Sequence, residues 1–208
     1  MLPIKDDHPL SRFPLITLVL LGLNVVIFLR QSDLVGEQKY EFWCKYGSIP
    51  WEIVHNTDQE PLINFSVQWT LITSMFLHAD WLHLIGNMLY LWIFAKGVED
   101  AMGYPRFIVF YLLCGIIASL SDIMTAPDSH IPTIGASGAI SGMLGAYFVL
   151  HPTANILTVF VLPGTLIRII PVPAFLFLGP WIILQVIHGT HSLQFSGSGV
   201  AWFAHIGG

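Results

Sequence analysis

Residues 107–121 read Phe107-Ile108-Val109-Phe110-Tyr111-Leu112-Leu113-Cys114-Gly115-Ile116-Ile117-Ala118-Ser119-Leu120-Ser121, an apolar run with no formal charge. Three more uncharged stretches surround it: Pro14–Leu29 upstream, then Ser129–Ile167 and Ile169–Gly208 downstream. Apolar residues make up 54% of the chain and charged residues only 10%, against about 25% charged in soluble domains. One core of this size cannot hide that much apolar surface from water, whereas a bilayer removes the need. The chain therefore reads as all-α, a polytopic membrane helix bundle. The net charge of −5 and the lack of a Lys/Arg cluster argue against nucleic acid as a partner. Cys114 in an apolar run and Cys44 in a polar segment give no basis for a disulfide framework.

Lys5 and Arg12 precede the first run, as in a secretory signal. The run is nevertheless long enough for a membrane span, and Phe28-Leu29-Arg30-Gln31 follows instead of a cleavage site. It reads as a retained span. Six transmembrane helices are expected in a single domain over 1–208: about 14–29, 81–95, 104–123, 137–150, 171–187 and 200–208. The last would rise only about 13 Å, so it is expected to be truncated here. Residues 30–69 are too polar to span and carry Trp43 and Trp51, which suits a structured loop in the membrane interface. Lys96 to Asp100 reads as a charged turn.

Lys5, Arg12, Lys96, Arg106 and Arg168 fall at one set of loop ends. That bias puts the N-terminus in the cytoplasm and the long first loop outside. In the fourth span, Gly138, Gly142 and Ala146 recur every four positions. This small-xxx-small face permits close helix approach and points to a central helix.

Polar groups at membrane depth are costly and read first as functional. His83 and Asn87 are four apart and share one helix face. They are two donors that can stabilise a developing anion, or plain interhelical hydrogen-bonding groups. Ser137, in Gly135-Ala136-Ser137-Gly138, opens a helix after a Pro-containing loop. An N-cap explains it, but the site also offers free N–H groups and a positive helix end. His205 is the base such a serine needs. No Asp or Glu occurs from Ser129 onward, so those runs offer no carboxylate as third member, and the unit is expected to be a Ser–His pair.

These blocks together resemble the rhomboid intramembrane serine proteases. The likeness rests on His78-Ala79-Asp80-Trp81-Leu82-His83 with Asn87, on Gly135-Ala136-Ser137-Gly138, on Ala204-His205-Ile206-Gly207-Gly208, and on Glu99 followed by Gly103. The resemblance implies Ser137 as nucleophile and His205 as general base. It also implies an oxyanion hole from the Ser137 N–H, His83 and Asn87. His78, Gly135 and Gly138 would support the site, with no cofactor and no metal. Substrates would be single-span membrane proteins, cut near the outer face of the lipid bilayer. The compact form suits a bacterial cell membrane.

Two positions depart from the pattern. Trp69-Thr70 stands where many relatives have Trp-Arg. Ser141 stands where some relatives pack an aromatic ring on the histidine, so His205 must be held in another way. Two other readings compete with the enzyme. One is a catalytically silent rhomboid-like protein that binds or escorts membrane proteins, though such relatives generally lose the serine or the histidine. The other is a metal or ion pathway through His78, His83 and His205.

Overall fold

The structure is a computed structural model that describes residues 1–59, 64–162, 166–192 and 201–208. In chain order it runs β1 (Leu2–Asp6), α1 (Leu15–Ser32), α2 (Glu37–Tyr46), α3 (Pro50–His55), α4 (Thr70–Thr73), α5 (Trp81–Tyr90), α6 (Lys96–Met102), α7 (Tyr104–Thr125) and α8 (Ser137–Leu150). It continues with β2 (Asn155–Leu162), β3 (Leu166–Pro173), α9 (Ala174–Ser192) and α10 (Trp202–Gly207). The chain is a helical membrane bundle. Helices α1 and α7, and α9 over Ala174–His191, are each long and apolar enough to cross a bilayer. Helix α8, with 14 residues, rises only about 21 Å and falls short of the hydrocarbon thickness of roughly 30 Å.

Helix α8 is nevertheless the packing centre. Ala139, Met143 and Tyr147 are fully buried on it. A methyl added to Gly138 would meet the Ala118 Cβ at 2.5 Å, and one on Gly142 would overlap Cys114. Both contacts lie on α7, so the small residues of α8 are what let the two backbones close up. On another side, a methyl on Gly138 would approach the Ala204 carbonyl of α10 at 3.6 Å.

The charged turn expected at 96–100 is helical instead. Helix α5 passes through a π-helical turn, Leu91–Ala95, directly into α6. The charges are tolerated because the N-terminal segment pairs with each of them. Lys96 Nζ lies 2.7 Å from Asp6 Oδ1, and the Tyr147 hydroxyl donates to Asp6 Oδ2 at 2.9 Å. Asp100 accepts from the Ser11 hydroxyl at 2.8 Å and the Arg12 N–H at 2.7 Å. Glu99, 1% exposed, accepts from the Ile16 and Thr17 N–H groups at 2.9 and 2.8 Å and from the Thr17 hydroxyl at 2.6 Å. It thereby satisfies orphan donors at the start of α1. Glu99→Ala should cost about 3 kcal/mol, because those donors would be left buried and unpaired. Thermal unfolding in detergent measures this, and an unchanged midpoint would refute the role.

The segment after α8 joins β1 in a sheet of order β1-β2-β3. Strands β2 and β3 pair antiparallel from Asn155↔Pro173 to Leu162↔Leu166, and β1 adds along β2 from Leu2↔Val159 to Asp6↔Ile156. Runs rich in Ile, Val and Thr favour strand over helix here. Pro171 and Pro173 are accommodated because β3 is an edge strand. This corrects the start of the fifth helix from about 171 to Ala174. The segment between α1 and α4 contains α2 and α3. Lys39 ties it to the segment before α5 by donating to the Ala79 carbonyl at 2.9 Å.

Candidate active site

Ser137 is the first residue of α8. The first backbone bond closing that helix is Ile140 N–H to the Ala136 carbonyl, so the N–H groups of the opening turn have no intrahelical acceptor. With the dipole behind them they favour negative charge at this spot. The side chain of Ser141, one turn on, donates to the Ser137 carbonyl at 2.8 Å.

His205 comes from α10. Its Nε2 lies 2.9 Å from Ser137 Oγ. Its Nδ1 lies 2.9 Å from Gln185 Oε1 on α9. Two indole rings, Trp181 and Trp202, stand 6.3 and 6.2 Å from the imidazole. The histidine that lacks an aromatic residue at position 141 is thus held by an amide and flanked by two indoles. Gln185, 7% exposed, escaped the sequence reading because a third member was sought among carboxylates. The signal was nevertheless present. Gln185 is a strongly polar side chain inside an apolar span, the same criterion that singled out His83 and Asn87.

Helix α5 begins at the Asp80 N-cap, whose carboxylate accepts from the His83 N–H at 2.9 Å. The Ala79 N–H points at His83 Nδ1 from 3.4 Å. An accepting Nδ1 leaves the proton on Nε2, which makes that nitrogen a donor. Gly135, with φ of +127°, brings the loop against this ring. A methyl there would sit 2.8 Å from His83 Nε2 and 3.8 Å from Ser137 Oγ. His83 and Ser137 therefore border the same point, and only glycine leaves it open. Asn87 lies one turn along α5 on the same face. It is 9% exposed, and its Nδ2 has no partner among the described residues.

The structure does not bring His78 to the serine. It is fully buried behind His83, the two rings meeting edge-on at 4.9 Å, and its main-chain carbonyl accepts from the Gln31 side chain. Among the described residues no three His, Cys, Asp or Glu side chains are grouped as metal ligands. A small cavity beside Ser137 is lined mostly by small residues, Gly115, Ala118, Gly138 and Ala204 among them, with Met75 and Ile134 completing its wall.

The His83 N–H holds the Asp80 carboxyl below its usual range. A depressed carboxyl stabilises the fold above its unfolded pKa, and that contribution is lost as pH falls through the native value. Acidification should therefore fray the first turn of α5, which carries His83. Asp80→Asn should keep the cap and remove this acid sensitivity, whereas Asp80→Ala should cost about 1 kcal/mol near neutral pH and progressively less as the wild-type carboxyl protonates. Hydrogen exchange at Leu82–Leu84 checks both; equal acid fraying in Asp80→Asn and the wild type would refute the link.

A part-buried serine–histidine pair thus meets at a helix N-terminus inside an apolar helical membrane bundle. The chain matches the Rhomboid domain over residues 66–208 and belongs to that family. It is similar to the rhomboid protease GluP of Bacillus subtilis, 32% identical over 64% of this chain and 24% of GluP. RHOMBOID-like protein 5 of Arabidopsis thaliana is 34% identical over 41% of this chain and 28% of its own length. Rhomboid protein 1, mitochondrial, of Saccharomyces cerevisiae is 36% identical over 46% and 29% respectively. The matched stretch spans less than a third of each of these relatives.

Proposed function

We propose that this protein is an intramembrane serine endopeptidase that cuts single-span membrane proteins near the outer face of the bilayer. The observation that carries this reading is the 2.9 Å approach of His205 Nε2 to Ser137 Oγ at the open N-terminus of α8. His205 Nε2 takes the Ser137 proton as Oγ attacks the scissile carbonyl. The oxyanion so formed accepts hydrogen bonds from the Ser137 N–H, His83 Nε2–H and Asn87 Nδ2. His205 then protonates the departing amine, leaving an ester on Ser137. Water, deprotonated by the same imidazole, releases the acid. The scheme uses no cofactor or metal.

The substrate must present an unwound peptide bond, since helical hydrogen bonds shield the backbone. Small or helix-breaking residues at the cut lower that cost, and the small cavity beside Ser137, narrowed by Met75 and Ile134, suits a short side chain. Sidedness follows the Lys/Arg distribution, with the N-terminus in the cytoplasm and the α8 N-terminus towards the outer face.

The test is reaction of the purified protein with a fluorophosphonate probe, alongside cleavage of a model single-span substrate in liposomes. Probe bound at Ser137, together with cleavage, supports the protease. A folded protein that neither binds probe nor cuts any of several substrates would leave the binding or escort role in its place.

A further inference from the structure

We propose that Gln185 is a positioning residue whose amide oxygen holds His205 in the tautomer that leaves Nε2 free to accept the Ser137 proton. The inference rests on the protease reading and deepens it.

A chain of hydrogen bonds runs from α9 to Ser137, and each link fixes the next. A main-chain carbonyl can only accept, and the Trp181 carbonyl lies 3.4 Å from Gln185 Nε2. That contact directs the NH2 of the amide along α9 and leaves Oε1 facing His205. An amide oxygen likewise only accepts. The 2.9 Å contact from His205 Nδ1 to Oε1 therefore requires the proton on Nδ1. A neutral imidazole with its proton on Nδ1 carries its lone pair on Nε2, the nitrogen 2.9 Å from Ser137 Oγ. The same bonds fix the plane of the ring, which stands tilted to Trp181 and edge-on to Trp202.

The amide does part of what a carboxylate does in soluble serine hydrolases, setting tautomer and orientation, without a formal charge. In an apolar span this distinction carries weight. A carboxylate at that depth is expensive while the histidine is neutral, whereas a paired amide is tolerated. The burial of Gln185 is consistent with a bond protected from competing water.

The test compares Gln185→Met, which keeps length and volume but removes the acceptor, with Gln185→Glu, which restores an acceptor at the same reach. Unfolding midpoints of both are measured alongside kcat and KM. Met frees the imidazole to sample both tautomers instead of locking the wrong one. Its loss in kcat should therefore be roughly 10²-fold with KM unchanged, short of the ~10⁴-fold seen when the wrong tautomer is imposed. Gln185→Glu should recover kcat to within about threefold of wild type. Wild-type kcat in Gln185→Met, a rise in KM alone, or no recovery in a folded Gln185→Glu would each overturn the proposal.

An independent readout needs no variant at Gln185. In 15N-histidine-labelled protein the His205 signals, assigned by their loss in His205→Asn, should show a protonated Nδ1 and a bare Nε2. The opposite tautomer would overturn the proposal whatever the variants do. If wild type is labelled by fluorophosphonate and Gln185→Met is equally fast, this proposal fails alone. If wild type is not labelled at all, the protease reading fails first.

Discussion

Ser137→Ala should reduce cleavage of a single-span substrate by about 10⁴-fold or more while leaving the fold intact. The size follows from what the hydroxyl does. Without it no acyl-enzyme forms, and the remaining site offers only its oxyanion donors and its binding surface to a water that nothing aligns. The same substitution should cost little stability. Among the described residues the hydroxyl meets His205 Nε2 at 2.9 Å, and alanine fits a helix start packed among small residues. His205→Ala should match Ser137→Ala in effect, and the double variant should be no worse than either, since the two groups act as one unit. Wild type, both single variants and the double variant are compared in liposomes at equal folded concentration. Cleavage that survives both single substitutions would place the chemistry elsewhere.

The second large effect is expected at the anion side of the site. His83→Ala should lower kcat by roughly 10²- to 10³-fold, equivalent to about 3 kcal/mol of transition-state stabilisation. KM should hardly move, because the donor bonds strengthen only when the carbonyl oxygen becomes an oxyanion. The Ala79 N–H contact on Nδ1 leaves Nε2–H as the donor at the point bordered by Gly135 and Ser137. Asn87→Ala should act in the same sense, since its Nδ2 has no acceptor among the described residues and is free to donate. Combined, the two losses should be less than multiplicative, because the Ser137 N–H and the helix N-terminus remain. Unchanged kcat in His83→Ala, with Ser137 still reactive towards a fluorophosphonate, would remove His83 from the oxyanion role.

The membrane character of this protein was legible in the sequence because hydration is expensive to replace. Uncharged runs such as Phe107–Ser121 and Ile169–Gly208 have no stable place in water, whatever their partners. The central place of α8 was legible for a similar reason. Gly138 and Gly142 carry no side chain to hold a neighbour away, and Ala118 and Cys114 occupy the space they leave. Polar residues at depth, His83, Asn87, Ser137 and His205, stood out because each costs free energy unless something repays it.

What the linear chain left undetermined was pairing at long range. Lys96, Glu99 and Asp100 looked like a turn, since charge at a span end usually meets water. They are helical because Asp6, Ser11, Arg12 and the start of α1 return from far away in sequence to satisfy them. The sheet has the same origin. The register of β2 and β3 depends on each other and on β1, which comes from the start of the chain.

Composition and spacing thus determined by themselves that this chain is a helical membrane protein with a serine and a histidine to explain, because solvation is a property of each residue. Only the tertiary structure decided that Gln185, twenty positions before His205 and on another helix, would orient it, because a hydrogen bond belongs to two atoms within about 3 Å and no single stretch of sequence contains both.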